Sequence, residues 1–315
     1  MSFESIVVIR TAGERTLTLC RKLILDQGIP EDLVFVVQEY PFSASMRRSF
    51  EIGIEMGRKW TLCIDADVLV RPGAIDYMIK VAELQAENVC EIQGHVMDKF
   101  FGGPRQAGNH LYRTLLLPEV LKHIPDEGTN IRPERYTLGL MEENGFPFVK
   151  IPYVVGIHDD EQYNFDIFRK CYVQGIKHLY LIQLFVEIWK KEAEYDQDFN
   201  VALYAIAESI KNMKPAFINS KYHLYHDLFA ASGFTEKPKL DHTGFTLESI
   251  EQRILHWKIS ESYLAKNPTI FGLLEIEKGE KKDVSHTLLY PTFIFISKSV
   301  LWIGNKIATL ARRYL

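Results

Sequence analysis

Two aspartates, Asp65 and Asp67, end the apolar stretch "WTLCIDADVLVR". Spaced two apart, they share one face of an extended chain, so both carboxylates can approach one divalent cation, directly or through its water. Hard oxygen ligands favour Mg²⁺ or Mn²⁺, ions that retain waters and bridge to substrate phosphates. The pair therefore points to a nucleotide diphosphate. An Asp-x-Asp tripeptide alone also suits a solvated turn, and the surrounding chain separates the two readings.

Over the first 100 residues, apolar runs alternate with segments of helical period, the pattern of a parallel sheet covered by helices. "SIVVIR", "LVFVVQE", "WTLCIDAD" and "VCEIQGHVM" read as strands. Between them, "ERTLTLCRKLILDQG", "SASMRRSFEIGIEMG" and "PGAIDYMIKVAELQA" read as helices. The second has Ser43 as its cap and Met46, Phe50 and Ile54 facing inward. Open parallel sheets bind ligands outside the carboxyl ends of their strands, and Asp65 and Asp67 fall at such an end.

The glycines, proline and lone arginine of "DKFFGGPRQAGN" suggest a mobile loop beside a site. A helix is expected in "RPERYTLGLMEENG", and "FPFVKIPYVVGIHDD" is a strand-like run reaching His158. Beyond about residue 162 the pattern is helical. The expected organisation is a core over 1–160 and a helical region over 161–315.

With 47% hydrophobic residues in 315, the chain can build a sizeable core. A net charge of −4 gives no general basic surface, which disfavours nucleic acid as a partner. Cys20, Cys63, Cys90 and Cys171 form no Cys-x-x-Cys pair, which argues for a reducing compartment and against zinc. "MSFESIVVIR" lacks the features of a secretory signal, so a cytoplasmic protein is expected. In the tail, about residues 286–315, Pro291 and Lys298 interrupt the roughly 20 apolar residues that a membrane span requires. Its aromatic and basic flanks suit either a helix in the membrane interface, at the inner face of the cell membrane, or one docked on protein.

The segment "ASMRRSFEIGIEMGRKWTLCIDADVLVRPGAID" resembles the core of GT-A glycosyltransferases, particularly the family 2-like group, in which an arginine-bearing helix leads into a strand and an Asp-x-Asp motif. Weaker correspondences extend over residues 4–160. The resemblance implies an α/β, Rossmann-like GT-A fold with a mostly parallel sheet flanked by helices. It also implies a hexosyltransferase-type enzyme that moves a sugar from a UDP- or GDP-linked donor to a saccharide or lipid-linked acceptor. Inversion, and a place in surface polysaccharide biosynthesis, go with that group. In "RTAGERT", Arg10, Thr11 and Gly13 match the nucleotide-binding loop, and Glu39 the acidic position after the second strand. Arg47 or Arg48 would reach the base or the phosphates.

Within the same resemblance Asp65 contacts ribose or the metal, Asp67 ligates Mn²⁺ or Mg²⁺, and His158 completes the metal site. Glu134 is the first candidate for general base, while Asp98, after the fourth strand, is another base or acceptor contact. Gly108, Asn109 and His110 match positions that cradle the donor sugar. Asp159 and Asp160 are either supports for the metal site or solvated. Two other classes share some of these features. A sugar nucleotidyltransferase would want a glycine-rich, lysine-bearing phosphate loop, and "RTAGERT" has no lysine. A non-catalytic sugar-nucleotide-binding protein would not need Asp65, Asp67 and His158 together.

Overall fold

The computed structural model describes residues 4–212, 223–259 and 263. Its eight strands are β1 (Ser5–Arg10), β2 (Val34–Val37), β3 (Trp60–Asp65), β4 (Val68–Val70), β5 (Glu91–Asp98), β6 (Gly103–Arg105), β7 (Asn109–Arg113) and β8 (Phe148–His158). They form one sheet in the order β2-β1-β3-β7-β5-β8-β4, with β6 paired to β5. All six residues of β1 are buried, as a strand covered on both faces requires, and its continuous apolar run follows from that.

Strand directions decide where the site can form. β1 is parallel to β2 and β3, and β8 is parallel to β5. β7 runs antiparallel to both β3 and β5, so β5 points the same way as β3. Arg10, Val37, Asp65, Asp98 and His158 are therefore the carboxyl ends of strands that share one direction. The short strands β4, β6 and β7 run against them.

Helices α1 (Leu17–Leu25), α2 (Phe42–Met56), α3 (Ala74–Glu83), α4 (Leu117–Val120) and α5 (Pro133–Glu143) belong to this half. α2 starts at Phe42 behind Pro41 rather than on a Ser43 cap, and it stops at Gly57 in the left-handed conformation. Met46 and Phe50 are buried as expected, but Ile54 is 38% exposed. Gly53 makes the close contact instead, since a Cβ there would stand 2.5 Å from Thr61 Oγ1. The missing side chain lets α2 press onto β3.

The second half comprises α6 (Asn164–Lys177), α7 (Ile182–Glu192), α8 (Asp198–Asn212), α9 (His223–Ser232) and α10 (Leu247–Leu255). α6 and α8 meet at Gly175, where a Cβ would lie 2.1 Å from Ser209 Oγ. These helices bury their own apolar cluster, into which Phe100 and Phe101 reach from the segment after β5. Trp189 Nε1 donates to the Phe100 carbonyl at 2.6 Å. The stretch expected to be a mobile loop is thus pinned by two buried aromatics and carries β6. α10 packs instead into the core around the sheet through Ile250 and Ile254, and Arg71 Nε donates to Glu251 on it at 2.6 Å.

All four cysteines are buried free thiols. Among the described residues no helix is long and apolar enough to cross a membrane. The tail at 286–315 lies outside the described residues.

Candidate active site

The carboxyl edge of the sheet gathers an ionic network from segments far apart in sequence. Arg10, in register with Asp65 across the β1–β3 pair, is 2% exposed. Its Nε donates to Asp65 Oδ1 at 3.0 Å and its Nη1 to Glu134 Oε1 at 2.5 Å. Arg10 thereby ties the end of β3 to the first turn of α5. Beyond it the chain turns at Gly13, whose φ of +104° favours glycine. Within that turn the Glu14 carboxylate accepts from the Ala12 amide at 2.7 Å and from the Thr11 hydroxyl at 2.6 Å.

Asp67, His158 and Asp159 form a second group, with one ligand atom from each lying within 4.8 Å of the others. His158 Nδ1 bonds Asp98 Oδ2 at 2.8 Å and lies 3.0 Å from Asp159 Oδ2, which leaves Nε2 facing Asp67 Oδ1 at 3.5 Å. That Asp67 oxygen is buried and has no hydrogen-bond partner. The Lys170 ammonium, on α6, bridges Asp67 Oδ2 and Asp159 Oδ1. Asp159 adopts φ +62°, the left-handed region that aspartate tolerates better than most residues. The backbone turn there brings its carboxylate back toward His158.

The two aspartates of the Asp-x-Asp motif occupy different electrostatic environments. Burial raises the Asp65 carboxyl despite Arg10, and the charge of Asp67 adds to the rise. Burial acts on Asp67 too, but Lys170 and His158 outweigh it and lower that carboxyl. Burial would lower His158, yet the carboxylates of Asp159 and Asp67 raise it to about 10. An ion binding at Nε2 therefore has to displace a proton.

The fit of this group to a divalent cation rests on donor chemistry. Two carboxylates and an imidazole suit Mn²⁺, and an unpartnered buried oxygen is the atom a cation would satisfy. With Lys170 holding the other oxygen of Asp67, Asp67 Oδ1 and His158 Nε2 are the ligand atoms left over. Asp65 lies outside this group, and Asp159 is in it.

A third arrangement surrounds Glu134. His110 Nδ1 is 2.8 Å from Glu91 Oε1, and its Nε2 is 3.0 Å from Glu134 Oε2. Burial would raise Glu134, but Arg10 and His110 hold it well below the usual carboxylate range. Burial would likewise lower His110, while Glu134 and Glu91 raise it to about 9. A histidine raised on folding stabilises fully below its unfolded value of 6.5 and loses that stabilisation as pH rises through about 9. Thermal unfolding should accordingly show a fall in Tm across that window, and His110→Gln should flatten it. Equal slopes in both proteins would place the dependence elsewhere.

Two connected spaces open on this edge. The smaller, about 270 Å³, is lined by Arg10, Thr11, Glu39, Asp65, Asp67 and His158 among others. The larger, about 890 Å³, is lined by Glu134, His110 and the helical region, and it shares Asp65 and Gly108 with the first. These residues are brought together as a sequence reading expects, but others are not. Arg48 pairs with Glu51 and Glu55 along α2, and Arg47 is exposed beside it, with neither lining these two spaces. Asn109 is fully buried in β7, bonded to Gly94 and Ala107. Asp98 is fully buried, and it accepts from the Phe100 and Phe101 amides and from Arg105 Nε. It orients His158 and lines neither of the two spaces. Asp160 pairs with Arg253. Lys170 has no counterpart in the sequence reading, where it is one of several charged residues of α6, with Arg169 beside it and Asp166 and Lys177 on the same helix.

No family model matches the chain, and no curated protein does. Among solved structures, a mannosyltransferase from Pyrobaculum calidifontis in complex with GDP-Man and Mn²⁺ aligns at TM-score 0.37 and 12% identity, over 86% of this chain and 85% of its own. A glycosyltransferase involved in glycosylation of the major capsid of PBCV-1 aligns at 0.32 and 14%, over 46% and 81%. A cytidylyltransferase from Leptospira borgpetersenii aligns at 0.33 and 10%, over 70% and 98%. Likenesses this distant assign the chain neither a family nor an activity.

Proposed function

We propose that the protein is a metal-dependent glycosyltransferase that moves a sugar from a UDP- or GDP-linked donor to a saccharide or lipid-linked acceptor, with inversion at the anomeric carbon. The observation that carries this reading is the Asp67–His158–Asp159 group, with its unpartnered oxygen, at the edge of the sheet where the two spaces meet. The nucleotide would lie in the smaller space beside Thr11 and Glu39, with Asp65 toward the ribose and Asp67 and His158 toward the ion. Mn²⁺ or Mg²⁺, when bound, supplies positive charge where the departing diphosphate gathers negative charge.

Glu134 lies across Arg10 from Asp65 and faces the larger space. There the acceptor oxygen forms its bond to the anomeric carbon as the bond from that carbon to the phosphate oxygen breaks. The hydroxyl proton passes to Glu134, and the nucleoside diphosphate leaves with the bonding electrons. Arg10 and His110 fix the carboxylate for this step. Surface polysaccharide assembly is the setting that goes with the family resemblance, and the composition of the tail suggests a place at the inner face of the cell membrane.

Calorimetric titration with a panel of nucleotide sugars, with and without Mn²⁺, tests the reading. One UDP- or GDP-sugar should bind, and at least tenfold more tightly with the ion. Binding of none, or binding indifferent to metal, would remove the proposal.

A further inference from the structure

The larger space carries an excess of positive charge although the chain as a whole is net −4. Its lining includes Arg105, Arg132, Arg135, Lys150 and Lys177, against the carboxylates of Asp65 and Glu134 alone. Both carboxylates are already held, Asp65 by Arg10 and Glu134 by Arg10 and His110. Arg105 is engaged with buried Asp98.

Lys150 acts on the buried carboxyl of Glu91, which leaves three cations with no acidic partner among the described residues. Among the described residues no carboxylate pairs with Arg132, Arg135 or Lys177. Arg132 donates to His178 Nε2 at 3.4 Å, and Arg135 lies 4.7 Å over the Phe148 ring. Burial, with Arg132 and Arg105 close by, pushes the Lys177 amine down to about 7. Burial and the same two arginines push His178 down to about 4. Like charges that depress their neighbours in this way are relieved by an anion placed among them. The N-terminus of α5, an 11-residue helix that opens at Pro133 beside Arg132, adds positive potential of the same sense.

We propose that the acceptor is anionic and carries a phosphate group bound by Arg132, Arg135 and Lys177 while its hydroxyl faces Glu134. This rests on the reading of the larger space as the acceptor side. Two guanidinium groups and an ammonium suit the several oxygens of a phosphate better than the single plane of a carboxylate. Lys177 lines both spaces, whereas Arg132 and Arg135 line only the larger one, so the two arginines separate acceptor binding from donor binding.

The full-length protein should be titrated with glycerol 3-phosphate and with glycerol, as wild type and as Arg132→Ala/Arg135→Ala. Wild type should prefer glycerol 3-phosphate by at least tenfold, about 1.4 kcal/mol. The double variant should bind the two alike while holding UDP or GDP with Mn²⁺ as wild type does. Arg132→Gln/Arg135→Gln, which keeps much of the side-chain bulk, should behave the same way. No preference in the wild type, or one that survives in both variants, would overturn the proposal. If neither UDP nor GDP binds the wild type, the donor reading fails by itself while the phosphate comparison still stands. Vesicles of phosphatidylglycerol that compete with glycerol 3-phosphate, where phosphatidylcholine does not, would assign the phosphate to a lipid headgroup. Failure of both to compete would assign it to a soluble acceptor, with the anion site intact.

Discussion

Replacing Asp67 by alanine is expected to abolish the gain in nucleotide-sugar affinity that Mn²⁺ confers on the wild type, a loss on the order of tenfold to a hundredfold in metal affinity or more. The size follows from what the side chain holds. One oxygen takes the Lys170 ammonium, and the other is buried with only His158 Nε2 before it. Alanine removes a ligand and also leaves Lys170 with Asp159 alone. Asp67→Asn separates these effects, because it keeps a neutral oxygen but withdraws the charge that a divalent ion needs. Asp65→Asn should behave differently. Asp65 is committed to Arg10, so its loss should weaken nucleotide binding with and without metal alike. Manganese binding followed by electron paramagnetic resonance on the nucleotide-free protein gives a readout that does not pass through turnover. An Asp67→Ala protein that still titrates with Mn²⁺ as tightly as wild type would move the ion elsewhere.

How much of this could be read from the sequence varies with the residue. Long strands buried on both faces show as continuous apolar runs, so β1, β3, β5 and β8 are visible, and with them the edge on which Asp65 and His158 stand. β6 is "GPR" and β7 is "NHLYR", too short and too polar to signal a strand, yet β7 is what reverses direction between β3 and β5. With β7 unseen, Asn109 reads as a turn residue near the sugar, when it is a buried strand residue. Arg47 and Arg48 illustrate a different limit. α2 buries Ser45, Met46, Ser49, Phe50, Ile52 and Gly53, which turns the arginines away from the cleft despite their nearness in sequence to the motif. Lys170 stands 103 residues from Asp67, and nothing local announces a contact of that range. Asp159 was legible only as one of two acids after a histidine; its left-handed backbone decides that it, and not Asp160, turns inward.

Glu134→Gln should reduce turnover by roughly a hundredfold to ten-thousandfold, the usual contribution of a general base, while donor binding in the presence of Mn²⁺ stays as in wild type. Each decade corresponds to about 1.4 kcal/mol on the barrier. A carboxylate held far below its ordinary range looks at first like a poor base, since basicity falls with pKa. Two features offset this. Glu134 is ionised across the physiological range, so no fraction of the enzyme is lost to its protonated form. The acceptor hydroxyl also becomes strongly acidic as its oxygen bonds to the anomeric carbon, so a weak base placed at the right distance is sufficient late in the transfer. Placement is what Arg10 and His110 provide, one on each carboxylate oxygen. Glutamine keeps the shape and one acceptor oxygen, so Arg10 retains that oxygen and Asp65. A modest fall in Tm is expected, and unchanged nucleotide affinity would show that the site remains assembled. Glu134→Asp, shorter by one methylene, should recover part of the rate by reaching the hydroxyl without its full support. Retained turnover in Glu134→Gln would shift the base to Asp65, the other carboxylate lining the larger space, and Arg10 would then be the residue whose removal uncovers it.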